Sequence, residues 1–119
     1  MSQQIVCIYT FNLVDSATDP QLVDASAKLD AIFLSMEGFQ YRSLTKTTEG
    51  LWQDIMYWDS EEALKKVDAI ETHDDFGAFM GLIDSNSVNH MNAVIHSSVY
   101  PEMPLPETQV SETQVSETA

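Results

Sequence analysis

Residues 39–70 read FQYRSLTKTTEGLWQDIMYWDSEEALKKVDAI, and this stretch decides the fold. FQYRSLTKT (39–47) and LWQDIMYWD (51–59) are rich in aromatic and β-branched residues and read as two strands. Between them TEG (48–50) is short, polar and closed by a glycine, the composition of a tight hairpin, so the strands are antiparallel neighbours. The period then changes at once. In DSEEALKKVDAI (59–70), Asp59 with Glu62 three residues later makes a capping box, and the acids suit the positive end of a helix dipole.

On the N-terminal side, QIVCIYTFNL (4–13) reads as the first strand. Ile5, Cys7, Tyr9, Phe11 and Leu13 share one face; Val6, Ile8, Thr10 and Asn12 share the other. Both faces start apolar, so cover on both sides is expected. TDPQ (18–21) announces a helix, with Thr18 or Asp19 as cap and Pro20 in the first turn. Leu22, Leu29, Ile32, Phe33 and Met36 form its apolar stripe, and Gly38 is placed to close it in a left-handed cap. On the C-terminal side, THDDFGAFMGLID (72–84) restarts a helix at Thr72 and Asp75, and SVNHMNAVIHSSVY (87–100) is the last strand.

The order is strand, helix, strand, strand, helix, strand. This predicts an α+β, ferredoxin-like βαββαβ domain over residues 1–100, an antiparallel sheet with both helices on one face. The other face needs cover, and the simplest cover is a second copy, so a homodimer is expected.

The rest of the sequence bounds the function. Five basic against nineteen acidic residues give a net charge of −14, which repels phosphate backbones and anionic membranes. Neither a nucleic-acid nor a membrane partner is expected. No apolar run approaches the roughly 18 residues that span a bilayer, and MSQQIVCIYTF has no basic segment ahead of its apolar stretch. One cysteine permits no internal disulfide, which suits a cytoplasmic protein. PEMPLPETQVSETQVSETA (101–119) holds three prolines and a slipped ETQVS repeat with no aromatic residue, and reads as a flexible acidic tail.

DIMYWDSEEALKKVDAI (54–70), which ends a strand on Trp58 and enters an acidic helix, resembles the antibiotic biosynthesis monooxygenase-like group of dimeric α/β-barrel proteins. FGAFMGLIDSNSVNHMNAVIH (76–96) is similar to the same group's second helix, loop and last strand. The likeness covers roughly residues 4–100. It implies a pocket between sheet and helices, used in that group by cofactor-independent monooxygenases and by haem-degrading enzymes. A haem site does not carry over: Asn12 or Thr10 and Trp58 match its first two positions, but His73 sits on the THDD turn at an unsuitable separation.

Among candidate groups, His90 and His96 share a strand face yet stand roughly 20 Å apart along it, too far to ligate one ion, whose ligands lie within about 2.1 Å. His73, Asp74 and Asp75 read as a helix cap, and Cys7 as a small hydrophobe. No phosphate loop, zinc pattern or catalytic-triad signature is present, so no cofactor and no metal are expected. If the protein is an enzyme, the resemblance implies oxidation of a small aromatic or quinol by oxygen directly. A histidine, His90 or His96, then serves as base, Asn12 or Arg42 steadies the developing anion, and Trp58 and Tyr57 wall the pocket. Arg42 has a competing use, pairing with Asp54. The alternative function is a non-catalytic dimeric module of the same fold that binds a small ligand.

Overall fold

The structure, a computed structural model, describes residues 3–99 and 101. Strand β1 (Ile5–Phe11) leads to helix α1 (Asp19–Leu34), the hairpin β2 (Phe39–Lys46) and β3 (Trp52–Trp58), and helix α2 (Glu61–Lys65). A 3₁₀ segment (Lys66–Thr72), helix α3 (Asp74–Met80), a short 3₁₀ turn (Ser85–Ser87) and strand β4 (Asn89–Val94) follow. The sheet order is β2-β3-β1-β4 and every pairing is antiparallel. The expected α+β ferredoxin-like βαββαβ fold is present. The expected flexible tail lies outside the described residues, apart from Pro101.

Local chemistry sets the element ends, in places not where the sequence suggests. Thr18, rather than Asp19, caps α1: its hydroxyl accepts the Gln21 N–H (3.3 Å) while the Gln21 side chain accepts the Thr18 N–H (2.9 Å). Helix α2 is capped by Ser60, not Asp59, which follows the end of β3 and donates its N–H to the Gly38 carbonyl (2.8 Å). Ser60 Oγ accepts the Ala63 N–H at 3.1 Å instead. Helix α1 ends at Leu34 with Ser35 as its cap, so Gly38 (φ +88°) turns the chain into β2 rather than closing the helix.

The second helical region is broken more deeply than a single restart implies. After five residues α2 tightens into the 3₁₀ segment, whose period of three turns Val67 and Ile70 towards the core. His73, not Thr72, then caps α3 by accepting the Asp75 N–H on Nδ1 (3.2 Å).

One sheet face is the core. Ile5, Cys7 and Phe11 of β1 and Trp52, Asp54, Met56 and Trp58 of β3 are buried there under Leu22, Leu29 and Phe33 of α1 and Phe79 of α3. The other face carries Val6 paired with Tyr57, and Ile8 paired with Ile55 and Met91. Among the described residues no helix covers it: Tyr41 and Met91 are 57% and 58% exposed. Among the described residues of the chain, cover therefore exists on one side only. Strand β4 is also shorter than its sequence suggests; the last ladder bond is from the Ile95 N–H to the Gln4 carbonyl (2.9 Å), which leaves His96 beyond it. Among the described residues, no helix is long and apolar enough to cross a membrane.

Candidate functional site

Along the inner row of β1, Cys7 and Phe11 are 1% and 2% exposed, but Tyr9 between them is only half-buried. The broken helical region arches over this position and leaves a cavity of about 270 Å³ between sheet and helices. Its walls include the rings of Tyr9, Phe11, Phe33, Phe76 and Phe79, with Met56 from β3. Its acidic groups are Asp54 from β3 and Asp68 and Glu71 from the 3₁₀ segment.

Asp54 is held from beneath. Its two oxygens accept from Arg42 Nε (2.9 Å) and Nη2 (2.8 Å), with the two side chains only 8% and 5% exposed. Arg42 Nη1 donates to the Ser26 carbonyl (3.2 Å) and to Asp30 (3.3 Å), and the guanidinium lies 5.1 Å from the Phe33 centroid and 5.6 Å from that of Phe79. Arg42 is thus consumed by the fold and is a clamp for Asp54 rather than a free anion receptor. A carboxylate offers about four lone-pair sites. The bidentate pair uses one on each oxygen, which leaves Asp54 able to accept from a ligand.

Burial foremost, with the adjoining Cys7 thiol and the charges of Asp68 and Asp54, pushes the Tyr9 hydroxyl up to about 12. It keeps its proton at neutral pH and is a donor. Burial, then the Asp54 charge, likewise raises the Cys7 thiol to about 11, so it is no thiolate nucleophile.

His90 lies behind Tyr9. Their rings stack at 4.3 Å and 7°, and His90 Nε2 sits 2.7 Å from Asn92 Oδ1 and 3.5 Å from Cys7 Sγ. The contact with Asn92 occupies Nε2. His90 is absent from the cavity lining. His96 is exposed, two residues past the end of β4. Asn12 follows β1 with its side chain exposed; its backbone pins the turn before β4, donating to Ser87 Oγ (2.8 Å) and accepting from the Asp84 N–H (2.8 Å).

Trp58 has no exposed surface and packs edge-on against Phe33 and Phe39 (centroids 6.3 and 5.3 Å), with its Nε1 unpartnered. Tyr57, its neighbour, points to the opposite face beside Tyr41 (5.8 Å). Neither lines the cavity. The six residues singled out by sequence are not brought together, and the walls and polar groups come chiefly from Tyr9, Phe33, Phe79, Asp54, Asp68 and Glu71. The signals for two of them were an acid inside an apolar strand and a tyrosine on a buried row. Among the described residues, no three His, Cys, Asp or Glu side chains converge as metal ligands.

No protein-family model matches the sequence, and no curated protein matches it significantly. Solved structures do match. SnoaB, a cofactor-independent oxygenase from Streptomyces nogalater, is 15% identical at a TM-score of 0.67, covering 85% of this chain and 100% of its own. A protein from Chloroflexus aurantiacus described as a candidate antibiotic biosynthesis monooxygenase is 16% identical at 0.65, covering 82% and 97%. A protein from Shewanella oneidensis is 18% identical at 0.60, covering 80% and 93%. At these identities the likeness shows the fold: that of antibiotic biosynthesis monooxygenase-like proteins, which includes cofactor-independent oxygenases.

Proposed function

We propose that the protein is a homodimer whose cavity takes a flat aromatic of one or two rings and oxidises a phenol or quinol with molecular oxygen, without a cofactor. The carrying observation is the ring-walled cavity with a clamped carboxylate, Asp54, at its wall. At about 270 Å³ it lies just below the usual size of ligand pockets, about 300 to 1,000 Å³, which fits a ligand of one or two rings. The fold shared with SnoaB supports the reading. The uncovered sheet face with Val6, Ile8, Ile55 and Met91 supports the second copy.

In this scheme Asp54 accepts the phenolic proton, replacing the histidine expected from sequence, and the protonated Tyr9 hydroxyl donates to the oxyanion that forms. The rings exclude water from the charged intermediate. The phenolate passes an electron to O₂, the resulting radicals join at a ring carbon, and loss of water follows. A 1,4-hydroquinone plus O₂ gives a hydroxyquinone plus water, so every electron that reduces oxygen comes from the substrate. One observation favours the alternative, a binding protein without turnover: no histidine lines the cavity.

The test is oxygen uptake with one- and two-ring 1,4-hydroquinones against a protein-free control, alongside a binding titration. Uptake that falls at least about tenfold in Tyr9→Phe, with binding retained, is the expected result. Binding without uptake would establish the non-catalytic alternative.

A further inference from the structure

The base and the donor of the scheme above are cross-strand neighbours, and a third residue completes their row. Asp54 on β3 stands opposite Tyr9 on β1, and Tyr9 stands opposite His90 on β4. Asp54 is fixed by Arg42, but among the described residues no side-chain hydrogen bond from another strand or helix holds Tyr9. A tyrosine's own torsions do not hold its ring either, because the χ2 well is broad and roughly two-fold. A neighbour has to do so. The His90 imidazole lies parallel to the Tyr9 ring, with 4.3 Å between centroids and 7° between planes. Tyr9 lines the cavity and His90 does not, so the imidazole supports the ring from outside the site. His90 is exposed, yet its own place is set by the next row of the sheet, where Cys7 stands opposite Asn92. Its Nε2 lies 2.7 Å from Asn92 Oδ1 and 3.5 Å from Cys7 Sγ.

We propose, resting on the reading of Tyr9 as the donor to the phenolic oxyanion, that His90 is a positioning residue of this site: it holds the plane of the Tyr9 ring and so the direction of its hydroxyl. Stabilising a developing anion needs the donor about 2.7–3.1 Å from where the charge forms, and a ring free to tilt meets that geometry only part of the time. His90 acts through Tyr9 and is not the base expected from sequence. The stack needs a flat ring at position 90; it does not need a basic nitrogen.

Oxygen uptake by the full chain with a one-ring 1,4-hydroquinone tests this, read as kcat and KM separately. His90→Ala should lower kcat about tenfold and leave KM within about twofold. His90→Phe keeps a flat ring without a nitrogen, and should restore kcat to within about threefold of the unaltered protein. In the double variant Tyr9→Phe/His90→Ala, kcat should match that of Tyr9→Phe alone, because the second change acts only through the first residue. A kcat for His90→Ala within about twofold of the unaltered protein, a His90→Phe variant as slow as His90→Ala, or losses that add in the double variant would each overturn the proposal. NMR relaxation of the Tyr9 ring, assigned by its absence in Tyr9→Phe, reads the same claim without turnover. The ring should be rigid in the unaltered protein and in His90→Phe, and mobile in His90→Ala. If the unaltered protein takes up no oxygen, the oxidation reading falls by itself and the relaxation decides the positioning: a Tyr9 ring as rigid in His90→Ala as in the unaltered protein overturns it.

Discussion

Arg42→Met removes the guanidinium and keeps an apolar stem of similar length. Asp54, with 8% of its side chain exposed, is then left as a charge without its bidentate partner. Breaking a buried pair from one side costs about 3–5 kcal/mol, and the lost contacts over Phe33 and Phe79 add to that. At about 4–8 °C per kcal/mol for a domain of this size, the melting temperature should fall by at least about 12 °C. The paired change Arg42→Met/Asp54→Leu removes both charges together and should recover to within about 2 kcal/mol of the unaltered protein. The assay is urea unfolding followed by circular dichroism at one fixed protein concentration, since a dimer's stability depends on it. If Arg42→Met costs less than about 1 kcal/mol, or the double variant loses the sum of the two single ones, the pair is not the clamp described.

Two further outcomes follow from the same geometry. Gly38→Ala places a Cβ 2.5 Å from that of Ala63 at φ +88°, and should cost about 2–5 kcal/mol, whereas Gly50→Ala, at φ +95° with no atom within 4 Å, should cost only the backbone strain of about 1–2 kcal/mol; parallel thermal melts compare them, and equal losses would remove the packing argument. The folded protein keeps protons on Cys7 (ordinarily 9.0, raised to about 11) and Tyr9 (ordinarily 10.0, raised to about 12) that the unfolded chain releases first. Stability should therefore be unaffected by these groups below about pH 9 and decline as pH rises from there to about 12, and the decline should be smaller in Cys7→Ala, as unfolding titrations across that range can check.

The fold was legible because its decisive signals are local. A glycine-closed turn between two aromatic runs fixes the β2–β3 hairpin, and the acid-rich start after Trp58 marks a helix wherever its cap falls by one residue. The site was legible only in part. Trp58 and Tyr57 drew notice by residue type, yet adjacent strand residues face opposite ways, so both could never wall one pocket. Asp54 was visible as a partner for Arg42, and that pairing is there. Its place at the cavity wall, like that of Asp68 and Glu71, depends on where the second helical region gives way to the 3₁₀ segment. In that segment Ile70 is buried in the core and Val67 packs against it, a tertiary contact that no local pattern records.

The most direct test of a dimeric aromatic-binding cavity is native mass spectrometry of the full chain with and without 4-ethylphenol. The expected species is a dimer of the 13.3 kDa chain that takes up one 4-ethylphenol per protomer. A monomer, or a dimer that takes up none at concentrations of about 1 mM, would contradict it.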